Sequence, residues 1–109
     1  MPFDPTICAC ATATGGYSAL LRLSGPAAVV IATKAGLGIP PAWHVATQDW
    51  PLAAGACPIR VLLAPAGRSF TGHDLIEIIL PGSRDLIALA LATLRAAGAE
   101  SAPPGGFAR

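Results

Sequence analysis

The sequence predicts an α+β domain with a mixed or antiparallel sheet of about five strands and two helices. Five short extended segments are bounded by glycine and proline turns. Two further segments carry the start and stop signals of helices. The third and fourth extended segments flank one turn, which indicates a hairpin and therefore an antiparallel pair. These three observations define the predicted fold class.

The first two strands are predicted near the N-terminus. Residues 7–12 are small and apolar on both faces, which indicates a buried first strand. After the turn signal Gly15-Gly16, residues 17–23 alternate as a second strand. Its odd-numbered positions, beginning with Tyr17, form the apolar face, and Arg22 lies on the other face.

A short helix and a hairpin come next. Pro26 is expected to open the helix, because proline at the first helical position loses no hydrogen bond, and Gly36 ends it. Two extended segments, around residues 44–48 and 59–64, flank a turn at residues 53–56. We interpret these segments as a hairpin.

The last strand and the second helix have the clearest signals. Residues 74–80 form a strand that ends at Pro81-Gly82, and Glu77 lies in its middle. Ser83 caps a helix that runs to about Ala97, with an acidic first turn and a basic last turn.

The second helix is apolar nearly all round. Its large apolar residues are Leu86, Ile87, Leu89, Leu91 and Leu94. A helix of this kind favours burial on two sides, one against its own sheet and the other against a second subunit or domain. The alternative is that alanines on its outer face are simply tolerated by solvent.

Composition indicates one folded domain over residues 1–109. Hydrophobic residues make up 53% of the chain and charged residues only 12%, which excludes a disordered tail. A chain of this length buries only about two thirds of its unfolded surface. We therefore expect it to associate with a partner subunit or with the rest of a larger parent protein.

Charge and cysteine content limit the function classes. The net charge is +1 and no stretch concentrates Lys or Arg, so we expect no direct binding of nucleic acid. Polar residues and paired glycines interrupt the longest uncharged run, so no membrane span or secretion signal is expected. Three cysteines cannot all pair within one chain, which favours a reducing cytoplasm.

The sequence offers no strong catalytic or metal motif. A phosphate-binding loop needs glycines followed by Lys and Ser or Thr, but the single lysine, Lys34, lies late in a predicted helix. No Cys or His pair has the usual spacing of zinc ligands, and the thiols of Cys8 and Cys10 lie in an apolar strand. We assign no catalytic and no metal-binding residue.

Arg22 and Glu77 are the candidate binding residues. Each carries a charge in a segment that otherwise supplies core residues, and an unpaired charge there is costly. One interpretation is that they pair with each other across neighbouring strands. The other is that they line a pocket, where Glu77 accepts two parallel hydrogen bonds from a pterin-like edge and Arg22 holds a carboxylate.

Several segments form one pattern along the chain: residues 4–12, Gly15-Gly16, 21–26, 69–78, 98–99 and 104–107. The most specific parts are the Arg-Leu-Ser-Gly-Pro turn and the Ser-Phe-Thr-Gly-His-Asp-Leu-Ile-Glu strand. Taken together, these segments resemble the N-terminal, formyl-tetrahydrofolate-binding domain of the TrmE/MnmE-type tRNA-modification GTPases, and the resemblance spans the whole chain.

The resemblance implies a fold related to the folate-binding domain of aminomethyltransferases, a homodimer, and binding of 5-formyl-tetrahydrofolate or a related tetrahydrofolate. Arg22 and Glu77 fall on matching motif positions and become the expected folate contacts. It also implies a cytoplasmic parent enzyme that modifies the wobble uridine of tRNA. That parent would carry the GTPase and helical domains, which are absent here, and would work with a flavin-dependent partner protein.

Two alternatives remain beside a folate-binding and dimerising module. The chain departs from the family pattern at Pro81-Gly82-Ser83, in place of a His-Gly-Gly turn, and at Gly106, in place of a glutamate. A divergent scaffold that dimerises but has lost folate binding is therefore the second hypothesis. A free-standing folate-dependent one-carbon transferase is the third, and it rests on analogy of fold alone.

Overall fold

The computed structural model describes residues 5–12, 16–65 and 73–102. These residues form one six-stranded sheet with two helices, which confirms the predicted α+β class. The elements in chain order are β1 (Ile7–Cys10), β2 (Ser18–Ser24), α1 (Ala28–Lys34), β3 (Val45–Leu52), β4 (Gly55–Ala64), β5 (Leu75–Pro81), α2 (Arg84–Ala96) and β6 (Glu100–Ser101).

The sheet has the strand order β3-β4-β5-β2-β1-β6. The pair of β1 and β6 is parallel, and the other four pairs are antiparallel. Strand β6 is not predicted from the sequence, because a two-residue strand carries no alternation and depends on a partner far away in the chain. Predictions on residues 13–15, 66–72 and 103–109 lie outside the described residues.

One face of the sheet carries the hydrophobic core. Alternate residues of β2 and β5, among them Leu21, Leu23, Ile76 and Ile78, are fully buried in one cluster with the inward residues of both helices. Each fully buried aliphatic side chain of this size contributes about 1.5–3 kcal/mol to stability. This alternation fixes the register of each strand, since a slip by one residue would turn the core residues outward.

The first turns of the two helices are capped by residues of different origin. The hydroxyl of Ser83 accepts a hydrogen bond from the Leu86 amide, which confirms the predicted cap of α2. In α1 no local side chain caps the first turn. Instead the buried Thr6 hydroxyl accepts a hydrogen bond of 2.9 Å from the Ala27 amide. The start of α1 therefore depends on the segment that precedes β1.

The outer surface of α2 is small and charged rather than apolar. Its buried residues are Ile87, Ala90 and Leu94, and its remaining leucines are half-buried. The exposed positions are Arg84, Asp85, Ala88, Ala92, Arg95 and Ala96. This arrangement agrees with the alternative that solvent tolerates the alanines of the outer face. Within the described ranges, neither helix is long and apolar enough to cross a membrane.

Boundary predictions were close, with two residues misplaced. Pro26 was expected at the first position of α1, but the helix begins at Ala28 and Pro26 lies in the turn before it. Both strands of the predicted hairpin are present and are longer than the segments that predicted them. Tyr17 was expected on the apolar face of the second strand, but it precedes β2 and is fully exposed. Alternation places a side chain on a face only within a strand, and β2 begins at Ser18, one residue after Tyr17.

Candidate functional site

The face of the sheet opposite the core carries the candidate site. In register across four strands, Leu62 of β4, Glu77 of β5, Arg22 of β2 and Ala9 of β1 form one row. All four side chains are half-buried. We call this side of the sheet the open face, because the buried residues of α1 and α2 pack against the other side.

Arg22 and Glu77 are brought together, as one of the two sequence interpretations predicted. They are directly opposite each other in the antiparallel pair of β2 and β5, and Nε of Arg22 lies 3.1 Å from Oε2 of Glu77. Their side chains keep 27% and 24% of their surface exposed. Because both ions remain partly hydrated, a pair of this kind contributes at most about 1 kcal/mol.

The ion pair leaves part of Glu77 available. It uses Oε2, and within the described part of the chain Oε1 accepts no hydrogen bond. Arg22 makes a further interaction besides the ion pair. A carboxylate that is held on one side and open on the other can still accept a hydrogen bond from a ligand.

A groove opens beside the pair on the open face. It has a volume of about 330 Å³ and lies over the neighbouring row, in which Arg60, Ile79 and Leu20 are in register. Neither Arg22 nor Glu77 lines it. The lining residues are Tyr17, Ser18, Thr47, Pro58, Ile59, Arg60, Ile79, Leu80 and Pro81.

Arg60 is a candidate that the sequence analysis did not identify. It is exposed, and within residues 5–12, 16–65 and 73–102 it makes no hydrogen bond and no ion pair. The available signal was its position in β4, where it alternates with the buried Ile59 and Val61. That signal alone does not separate a binding residue from an ordinary surface arginine.

The cysteines and histidines do not form a reactive site in the described structure. Burial raises the pKa of the Cys8 thiol, opposed in part by the charge of Arg95. Burial raises the pKa of Cys57 as well, with a smaller contribution from Asp49. Both thiols are therefore neutral at ordinary pH and act as packing groups. Over the described residues, no three Cys, His, Asp or Glu side chains are grouped to hold a metal ion.

Comparison with known proteins identifies relatives over nearly the whole chain. The family described as GTP-binding protein TrmE N-terminus matches residues 6–109. The tRNA modification GTPase MnmE of Alkalilimnicola ehrlichii is 37% identical over 105 residues, which are 94% of this chain and 24% of that protein. The proteins of the same description from Halorhodospira halophila and Chlamydia abortus are 35% and 36% identical, over 94% and 97% of this chain.

The matched relatives are much longer than this chain. It covers 22% of the Halorhodospira halophila protein and 25% of the Chlamydia abortus protein. The chain therefore spans about a quarter of the length of the curated relatives that it matches. The similarity extends across both the ion pair and the groove of the open face.

Proposed function

Because this chain belongs to the family of the GTP-binding protein TrmE N-terminus, we propose that it binds a formyl-tetrahydrofolate as the N-terminal domain of a tRNA-modification GTPase. The site that we propose is the open face around Arg22 and Glu77. The observation that carries this proposal is that two oppositely charged residues within the range matched by the family meet in the middle of one sheet face.

The chemistry of the pair supports a pterin ring as the ligand. A reduced pterin presents a ring N–H next to an amino group, and a carboxylate accepts both as parallel hydrogen bonds. Glu77 has one oxygen without a partner in the described chain, and Arg22 holds the other oxygen in place. The half-buried Leu62 and Leu20 offer apolar surface on either side for a flat ring.

The ion pair also favours the second hypothesis, a scaffold that keeps the fold without the ligand. Arg22 and Glu77 neutralise each other without a ligand, and the ion pair is a sufficient structural reason for both charged residues to be present in the sheet. The two hypotheses differ in one respect. A binding site must lose affinity when the carboxylate is replaced by an amide, whereas a scaffold has no affinity to lose.

Titration calorimetry with 5-formyl-tetrahydrofolate tests the proposal. We expect saturable binding to the unaltered chain and a loss of at least tenfold in affinity for Glu77→Gln, because hydrogen bonds to a charged group contribute about 1.5–3 kcal/mol. Glu100→Gln is the matched control, since it makes the same change at an exposed position of β6, at the opposite edge of the sheet from the groove. Absence of binding to the unaltered chain at millimolar ligand would favour the scaffold.

The wider setting is proposed from the same family membership. In a full-length protein the chain would contribute to modification of the wobble uridine of tRNA in the cytoplasm, next to a GTPase domain and with a flavin-dependent partner protein. We also propose that the domain forms a homodimer. Support for association comes from its size, because a chain of 109 residues buries only about two thirds of its unfolded surface on its own.

A further inference from the structure

Arg60 is a cation that the ion pair does not explain. On the open face, Glu77 neutralises Arg22, whereas Arg60 in the neighbouring row forms no ion pair with any described residue. The acidic residue of β3 nearest to it in register is Asp49, which is opposite Pro58, and the two side chains form no ion pair. The five N–H donors of Arg60 make no hydrogen bond to a described residue, and an arginine at the wall of a groove can bind a planar carboxylate with two hydrogen bonds.

The groove around Arg60 suits one end of an elongated ligand. Its volume of about 330 Å³ lies at the lower limit for small-molecule sites. The groove can therefore hold a part of a drug-sized molecule. Its walls are apolar at Pro58, Ile79 and Pro81, and Ser18 and Thr47 add hydroxyl groups. Apolar walls with few polar groups and one cation favour an aromatic segment that ends in a carboxylate.

The groove and the ion pair follow each other along the same strands. Glu77 and Ile79 are successive open-face residues of β5, and Pro81 at the far end of the groove is the next. At about 3.3 Å per residue, the distance from Glu77 to Pro81 is roughly 13 Å. Arg60 is a diagonal neighbour of Glu77, with Cα atoms about 7–8 Å apart. One extended ligand can therefore contact both places.

We propose that the groove holds the carboxylate-bearing tail of the ligand, and that Arg60 is the residue that binds the tail. This inference rests on the proposed function, in which the ring of a reduced folate occupies the surface around Glu77. The tail is then the aminobenzoyl-glutamate portion, with its aromatic ring against Ile79 and Pro81. Arg60 determines preference for a charged tail, and Glu77 determines recognition of the ring.

Calorimetry with two ligands and two arginine variants tests the role of Arg60. The ligands are 5-formyl-tetrahydrofolate and its glutamate diamide, which has the same size and no carboxylate. For the unaltered chain we expect the diamide to bind about tenfold more weakly, because it loses the charged hydrogen bonds. In Arg60→Gln both ligands should bind with the affinity of the diamide. Arg84→Gln, an exposed arginine of α2, should keep the tenfold preference.

The outcomes separate this inference from the proposed function. If Arg60→Gln still prefers the charged tail tenfold, the assignment of Arg60 is wrong while folate binding stands. If the unaltered chain binds neither ligand, the proposed function fails. NMR with p-aminobenzoylglutamate alone then tests whether the groove still binds a carboxylate-bearing tail. A shift of the Arg60 Nε–H signal in the unaltered chain, with a shift of the Ile79 amide signal that disappears in Arg60→Gln, supports the groove as a carboxylate site. Unchanged signals at 10 mM fragment overturn it.

Discussion

At the residue scale, alternation predicted the face of the sheet on which each charged residue lies, and it left the pairing of Arg22 with Glu77 as one of two interpretations. Arg22 and Glu77 were both recognised as charges inside strands, and their positions on one face follow from the two-residue period of a strand. That they are directly opposite depends on the register of β2 and β5, whose residues are more than fifty positions apart. Arg60 was missed for the same reason, because its neighbours on the sheet are remote in sequence.

The buried thiols predict how stability changes with pH. Cys8 and Cys57 have pKa values raised by burial, so the folded chain keeps protons that the unfolded chain releases above about pH 8.5. The stabilising contribution is complete below that pH and is lost as the pH rises through the higher pKa of the folded state. We expect the free energy of unfolding in urea to fall as the pH rises above about 8.5.

A double variant, Cys8→Ala with Cys57→Ala, tests the origin of this fall. Removal of both thiols should flatten the decrease above pH 8.5. Between pH 6 and 7.5 the thiols are neutral in both states, so the stability difference between variant and unaltered chain should there be constant. An equally steep decrease in the variant would mean that other groups cause it.

At the element scale, one helix begins where its own sequence predicts, and the start of the other depends on a contact from a distant segment. Ser83, Asp85 and Arg95 define α2 from its own sequence, and the helix is where they predict it. The start of α1 was predicted from Ser24-Gly25-Pro26, and α1 begins at Ala28 with a cap from Thr6. A cap that comes from another segment leaves no pattern near the helix, and only the folded chain reveals it.

Gly25 and Gly55 give a matched test of this close approach. Both have positive φ, of 150° and 120°. A Cβ on Gly25 would lie 2.5 Å from Cα of Thr6, whereas a Cβ on Gly55 would meet nothing within 4 Å. We expect Gly55→Ala to cost about 1–2 kcal/mol of unfolding free energy, from backbone strain alone.

For Gly25→Ala we expect a further loss of about 1–3 kcal/mol, because the backbone of Thr6 would have to move and would disturb the cap of α1. Urea denaturation of both variants measures the difference. Equal losses for the two variants would show that the close approach of Thr6 does not exclude a side chain at position 25.

At the scale of the whole molecule, the two sides of the sheet differ, and the open face is the side that carries the candidate site. One side of the sheet is closed by two helices and a continuous core, and the other presents a partly apolar surface with a central ion pair and a groove. Trp43 and Val45 are exposed at its β3 side, and Tyr17 is exposed at the mouth of the groove. Exposed apolar groups around a half-buried face are typical of an association surface.

Val45 and Val30 test whether the open face is the surface of a homodimer. The two valines are 61% and 58% exposed, on β3 of the open face and on the outer side of α1. If the open face is the interface, Val45→Asp should shift the mass measured by light scattering from dimer to monomer, because burial of a charge is costly. Val30→Asp should remain dimeric.

The exposed Ala92 of α2 tests the interface that the apolar helix suggested. Dissociation by Ala92→Asp but not by Val45→Asp would place the contact on α2. A monomer mass for the unaltered chain at all concentrations would contradict the proposed homodimer itself.

The sequence by itself determined the element types, the core residues of the central strands and the family, because these follow from short-range periodicity, turn chemistry and motif order. Only the tertiary structure decided the partner of each charge, the Thr6 cap, strand β6 and the groove at Arg60. Each of these is a contact between segments far apart in the chain. Such contacts depend on strand order and register, which the long-range packing of the core selects.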